Sequence, residues 1–247
     1  MASISRVYSA LKDIANKDQR GFISPAVFNN FAAVAQMNIY NRLFDDFSKV
    51  KRLRNSQIDA SRDKSRYKRL NEDLSVFAKR VTLSANNDGV FDRPSDYSRL
   101  ITMSTTGKLL LGQINKTSIQ IVHDEAIMDM VLISDLSQPK ESAPVAFIGD
   151  TIDVYPTSIK KISVRYYKIP QGLNPSTAAK TTASPKFGYT TVAGKEIYSA
   201  SNSVDFELPE HFFAELVVEI AKLIGINLRD TDVYNYSKAE ETRIANG

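Results

Sequence analysis

The sequence predicts an α+β fold in which the two terminal segments build a helical body and a β-rich region is inserted between them. Apolar residues recur at spacings of three and four from residue 4 to 79 and again from 209, the pattern of amphipathic helices. From Val81 the period shifts toward two, with Gly, Pro, Asn and Asp as punctuation, the pattern of short strands and turns. Charge is divided as well: residues 1–80 hold sixteen Lys/Arg against eight Asp/Glu, and residues 205–247 hold four against nine. Opposite signs at the two ends let the terminal segments pack on each other, or steer one copy's basic face toward an acidic face on a neighbour. The expected divisions are 1–80 for the N-terminal helices, 81–205 for the β-rich insert, and 206–247 for C-terminal helices packing on the N-terminal ones.

The first helix places Ile4, Val7, Tyr8, Leu11 and Ile14 on one face and stops at Asp18-Gln19-Arg20-Gly21. Ser24-Pro25 starts the next, because a serine side chain caps free N–H groups and a proline at the first helical position loses no hydrogen bond. Phe28, Phe31, Ala32, Ala35, Ile39, Leu43 and Phe47 form its stripe to about Asn55, and a further helix over 59–79 carries Tyr67, Leu70, Leu74 and Phe77. Strands are expected over 100–105, 109–114, 118–122, 145–148, 152–155 and 161–168, with Gly149-Asp150 as a hairpin turn. Residues 124–133 favour a short helix, with a strand as the alternative. Residues 171–186 lack periodicity and read as a long loop or arm. Pro209 opens a helix whose Phe212, Leu216, Ile220 and Ile224 share a face, and a last helix is expected from Asp230. The core of the helical body is expected around Phe28, Phe31, Phe47, Leu216 and Ile220.

With 43% hydrophobic and 24% charged residues the chain has the composition of a packed protein. It has no cysteine, which removes disulfides, thiolate nucleophiles and sulfur-ligated zinc. No stretch approaches membrane-spanning length, and Met-Ala-Ser-Ile-Ser-Arg-Val-Tyr lacks the layout of an export signal, so a soluble chain without membrane contact is expected. The segment 16–23 has a glycine where a calcium loop needs one, but Arg20 falls on a ligand position and Val27 replaces the bidentate glutamate. Thr106-Gly107-Lys108 lacks the first glycine and the metal-binding hydroxyl of a phosphate loop and reads as a turn. His123 and His211 are the two histidines, and neither has a partner at metal-ligand spacing; a metal at His123-Asp124-Glu125 is the minor reading. The expectation is a chain that is not an enzyme and holds no catalytic, metal or cofactor site.

The strongest charge feature is Lys49, Lys51, Arg52 and Arg54 followed by Arg62, Lys64, Arg66, Lys68 and Arg69. Such a run serves a solvated helix face, a protein interface or a nucleic-acid surface, and Asp59, Asp63, Glu72 and Asp73 dilute its field. Lys49, Lys51, Arg52, Arg54, Arg62, Arg66 and Arg69 are the candidate partner-binding cations. Glu215 and Glu219, one helical turn apart on a face read as solvated or partner-facing, are the candidate acids.

Three blocks in order resemble structural proteins of podovirus-type tailed bacteriophages, especially those of the crAss-like group. They are Gly21-Phe22-Ile23-Ser24-Pro25-Ala26-Val27-Phe28-Asn29 with Ala35-Gln36 and Ile39-Tyr40-Asn41; Arg93-Pro94-Ser95-Asp96-Tyr97 with Pro144, Ile152-Asp153-Val154-Tyr155-Pro156 and Val164-Arg165-Tyr166-Tyr167-Lys168-Ile169-Pro170; and Phe206-Glu207-Leu208-Pro209-Glu210 with Leu228-Arg229-Asp230-Thr231-Asp232-Val233-Tyr234-Asn235-Tyr236. The blocks span almost the whole chain. The resemblance implies a ring or adaptor protein of the head-to-tail connector, with N- and C-terminal helices packed together around a β-rich insert. Rings of this type stack on a twelve-fold portal, so the implied partners are further copies of the chain, twelve in all, the portal protein and other connector or tail proteins. Non-specific contact with genomic DNA along the exit path is also implied. The implied location is the virion, with the host cytoplasm during assembly. The alternative function is DNA binding through the basic 49–80 region. The 171–186 loop and that basic region depart from the family pattern.

Overall fold

The chain leaves a helical unit after Val76 and returns to it at Pro170, building a separate β unit, Phe77–Ile169, in between. The computed structural model describes residues 1–17, 23–55, 60–86, 89–106, 109–110, 113–114, 116–170, 184–193, 195–227 and 243. In chain order the elements are α1 (Ile4–Lys17), α2 (Pro25–Asn55), α3 (Ala60–Ser75), β1 (Ala78–Ser84), β2 (Val90–Asp92), β3 (Tyr97–Thr105), β4 (Leu109–Leu110), β5 (Gln113–Ile114) and β6 (Gln120–Val122), then α4 (Glu125–Ile133), β7 (Val145–Ile148), β8 (Thr151–Tyr155), β9 (Lys161–Lys168), β10 (Tyr189–Val192), β11 (Lys195–Tyr198) and α5 (Phe213–Asn227). The fold is α+β.

In the helical unit, Ser24 caps α2 as expected, its Oγ accepting from the Val27 N–H at 3.3 Å. α2 is packed by α3 on one side and α5 on another, and α5 also packs on α1. Because two neighbours share α2, its buried set is wider than one stripe: Phe28, Ala32, Ala35, Ile39 and Leu43 are joined by Gln36, Tyr40, Phe44 and Val50. Phe31 and Phe47, expected in the core, are half-buried, and Phe47 stacks on Tyr67 of α3 at 5.1 Å. From α5 the core receives Leu216, Val217, Ile220, Ala221 and Ile224, with Phe212 from the 3-10 turn that precedes it. Pro209 therefore opens a 3-10 turn rather than the α-helix itself.

Backbone pairing ties the two terminal segments together. The Ala2 N–H donates to the Leu208 carbonyl at 2.8 Å, and the Phe206 N–H donates to the Ala2 carbonyl at 3.2 Å. Asp205 Oδ1 accepts from the Ile4 N–H at 2.8 Å, placing a carboxylate at the positive end of α1. Buried Gln36 accepts from the Glu207 N–H at 2.8 Å. The β10–β11 hairpin also belongs here: Phe187, just before it, packs 4.3 Å from Tyr8 and 5.0 Å from Tyr198. The described residues 184–193 and 195–205, expected in the β-rich insert, thus cluster with the termini.

In the β unit, β9 is the centre of an antiparallel sheet ordered β1-β9-β3, and a second sheet runs β2-β8-β7-β6 with β6 and β7 parallel. Both sheets feed one core: Phe91, Met103, Ile152, Val154, Ile162, Val164 and Tyr166. This is a sandwich, in which apolar side chains of the two sheets share one cluster. α4 connects the parallel pair β6 and β7, and its N-cap is Asp124, whose side chain accepts from the Ala126 N–H at 2.9 Å. Residues 125–133 are helical, so the strand alternative falls. Gly149 turns β7 into β8, its N–H bonded to the Thr151 carbonyl at 2.9 Å.

Two further expectations change. The helix expected to reach Lys79 ends at Ser75, because Ala78 onward is captured by β9 in a ladder from Ala78↔Tyr167 to Ser84↔Lys161. The single strand expected over 109–114 is a short hairpin, Leu109 opposite Ile114 and Leu110 opposite Gln113. The break at 18–21, the Gly107-Lys108 turn, the arm 171–183 and, apart from Arg243, the last helix from Asp230 lie outside the described residues.

Candidate functional site

Five of the nine candidate residues converge on one cleft of the helical unit. It has a volume of about 510 Å³ and lies between α2, α3, the 3-10 turn and α5, with Lys49, Arg66, Arg69, Glu215 and Glu219 among its lining residues. The reason is helix geometry. α2 packs against both α3 and α5, so residues 42–49 of α2, 66–73 of α3 and 215–219 of α5 face one space.

The acids of this cleft are engaged with the subunit's own groups. Arg42 Nη2 lies 2.7 Å from Glu215 Oε2, and Asn38 Nδ2 donates to Glu219 Oε1 at 2.6 Å. His211 Nε2 sits 3.0 Å from Asp73 Oδ1, and Lys49 Nζ sits 3.6 Å from Asp46 Oδ1. Glu219 is buried. The reading of Glu215 and Glu219 as a solvated or partner-facing pair is therefore corrected: they face α2. A buried carboxylate is tolerated only with hydrogen-bond partners, and Asn38 supplies one.

The cations divide differently. Lys49, Lys51, Arg52, Lys64, Arg66, Lys68 and Arg69 are exposed. Among the described residues, Lys49 and Lys68 make only within-helix pairs, Lys68 with Glu72 at 3.8 Å, while Lys51, Arg52, Lys64, Arg66 and Arg69 make no ion pair. The side chains of Arg54 and Arg62 lie outside the described residues. With the acids of the cleft engaged internally, Lys51, Arg52, Lys64, Arg66 and Arg69 are, among the described residues, exposed cations without an ion pair. Their chemistry is the recognition of carboxylates or phosphates; arginine does this with a planar, two-pronged donor set.

His123 is exposed at the end of β6, and neighbouring Asp124 is committed to capping α4. Among the described residues no three His, Asp or Glu side chains come together to hold a metal ion, and no helix is long and apolar enough to cross a membrane.

Sequence reasoning did not single out two polar groupings, one partly exposed and one buried. In the β unit, Asp96 accepts from the Tyr166 hydroxyl at 2.6 Å through Oδ1 and from Lys79 Nζ at 2.7 Å through Oδ2. Burial raises the Asp96 carboxyl, but the two hydrogen bonds and the lysine charge outweigh it and hold the group below its ordinary value. Burial, then the bond to Asp96 and its charge, push the Tyr166 hydroxyl well above the tyrosine range. In the helical unit, the Tyr8 hydroxyl donates to the Ile23 carbonyl at 2.8 Å and is pushed up to about 12 by burial and by the charge of Glu196. The Asp96 bonds tie the turn before β3 to β1 and β9, and the Tyr8 bond ties α1 to the segment before α2.

No protein-family model matches the chain, and a search of curated proteins returns none that matches it.

Proposed function

We propose that this chain is a structural protein of a tailed-phage virion, one copy of a homo-oligomeric ring in the portal-to-tail connector. It helps to join tail to capsid and to line the path by which DNA leaves, and it works by binding rather than catalysis. The observation that carries this reading is the pairing of Ala2 with Phe206 and Leu208, together with α5 packed on α1 and α2. Both terminal segments thereby belong to one helical unit, and the chain between Val76 and Pro170 forms a β sandwich of its own. That is the arrangement which the resemblance of the three sequence blocks implies for connector rings. The unmatched cations of α2 and α3 add a charged surface for assembly, and a ring built from one chain needs such a patch to meet a different, complementary one on the next copy.

The partners in this reading are eleven further copies, the portal protein and neighbouring connector or tail proteins. The test is co-assembly: the chain is mixed with the portal protein encoded in the same genome and the product is weighed by native mass spectrometry. A complex with many copies of the chain per portal supports the reading. A chain that stays monomeric alone and with the portal contradicts it.

A further inference from the structure

We propose that the outer face of α4 is a docking site for a second copy of this chain, which covers it with the exposed cations Lys51 and Arg52 of α2 and Lys64, Arg66 and Arg69 of α3. This deepens the ring reading and rests on it.

α4, Glu-Ala-Ile-Met-Asp-Met-Val-Leu-Ile, is apolar on both sides. Its inner side is covered: Met128 is buried and Val131 and Leu132 are half-buried. On the outer side Ala126, Met130 and Ile133, spaced i, i+4 and i+7, form a second apolar stripe, with Ile127 at its edge and Leu136 in the turn that follows. Ile127, Met130, Ile133 and Leu136 are 49%, 67%, 83% and 94% exposed. Isolated exposed apolar side chains are ordinary, but a contiguous stripe on a helix with two apolar faces belongs to an element covered from both sides.

Charge identifies what covers it. Between residues 123 and 139 the chain carries Asp124, Glu125, Asp129 and Asp135 and no lysine or arginine. Two copies of α4 facing each other would bring like charges together, so the complement is a basic surface. The same chain has one: Lys51, Arg52, Lys64, Arg66 and Arg69 are exposed and make no ion pair among the described residues, while each acid of the cleft beside them has a partner. Their aliphatic stems suit an apolar stripe and their heads suit its acidic rim. Because the two patches differ, the contact is head-to-tail, the kind whose repetition builds a ring when the rotation between copies closes.

The test places a photo-crosslinking residue on the stripe, Ile133→p-benzoylphenylalanine, in the full chain. Ordinary and nitrogen-15-labelled copies are mixed under conditions where the protein assembles, alone or on the portal, and mixed-isotope crosslinks are mapped. The proposal expects crosslinks from position 133 of one copy into residues 49–69 of another. It also expects the exposed-site variant M130D/I133D to keep its circular dichroism while losing assembly. Assembly with crosslinks elsewhere, or undiminished assembly of M130D/I133D, overturns the α4 proposal and leaves the ring reading standing. Absence of any assembly, with or without the portal, overturns both. Duplex DNA that occupies residues 49–69 at physiological salt while the crosslinks from position 133 fall outside them assigns the basic face to nucleic acid and also overturns it.

Discussion

The Asn29 side chain grips the Phe187 backbone from both sides, donating from Nδ2 to its carbonyl at 3.1 Å and accepting from its N–H at Oδ1 at 2.7 Å. An amide side chain here stands in for a neighbouring strand and fixes the segment before β10 onto α2. Asn29→Ala leaves both backbone groups without their partner and is expected to destabilise the protein by about 1–3 kcal/mol. Asn29→Asp keeps the acceptor and loses the donor, and falls between. Thermal unfolding of the three proteins checks the order; equal midpoints would contradict it.

Gly188 is required by a close backbone approach. A Cβ built there would lie 2.4 Å from the Asn202 carbonyl carbon and 2.7 Å from the Ser203 nitrogen, while the Gly188 N–H donates to Ser203 Oγ at 2.9 Å. Backbone cannot give way as a flexible side chain does. Gly188→Ala is expected to cost about 1–3 kcal/mol through overpacking. Denaturant unfolding measures it, and a change within error of zero would show that the approach relaxes freely.

The Asp96–Tyr166 bond sets two opposite pH dependences. Asp96 is depressed in the folded state, so its contribution is complete above the unfolded value of about 4 and is lost as pH falls through the folded one. Tyr166 is raised, so its contribution is complete below about 10 and is lost as pH rises above that. Asp96→Asn is expected to flatten the acid limb, to bring the Tyr166 titration down toward the ordinary range, and to cost about 1–2 kcal/mol near neutrality for this partly exposed group. Urea unfolding across pH, with tyrosinate absorbance compared against Tyr166→Phe, reads all three. Superimposable acid limbs for wild type and Asp96→Asn would contradict the assignment.

Much of this architecture is legible in the sequence because the signals are local. Ser24-Pro25 starts α2, the short helix favoured over 124–133 forms as α4, and the stripe of Leu216, Ile220 and Ile224 is buried as its spacing predicts. What escapes depends on contacts made far along the chain. Leu70, Leu74 and Phe77 keep a helical spacing, yet only pairing with β9 decides that the chain extends from Ala78. β10 and β11 carry little apolar alternation, and the placement of their segment rests on Asn29 and Tyr8, more than a hundred residues away. The site shows the same limit. The exposed basic run is visible at once, whereas Glu215 and Glu219 look like any solvated i,i+4 pair until Arg42 and Asn38 are placed opposite them. The Asp96, Tyr166 and Lys79 grouping leaves no pattern within any one window.

DNA binding is the rival use of the basic face, and salt separates the two. A protein that neutralises several phosphates loses affinity by roughly a thousandfold or more from low to moderate salt. We expect weak duplex binding at low salt, abolished at physiological salt, with Arg66→Ser/Arg69→Ser removing it. Retention of tight duplex binding at physiological salt, read by fluorescence anisotropy, would favour a nucleic-acid role.

The central claim concerns a place in a particle, and cryo-electron microscopy of the virion whose genome encodes this chain addresses it most directly. The account predicts a ring of density between portal and tail, twelve-fold in keeping with the portal. Each subunit should fit the helical unit as one body and the sandwich as another, with the outer face of α4 covered by the neighbouring copy. A complete virion reconstruction whose connector is fully accounted for by other chains would contradict it.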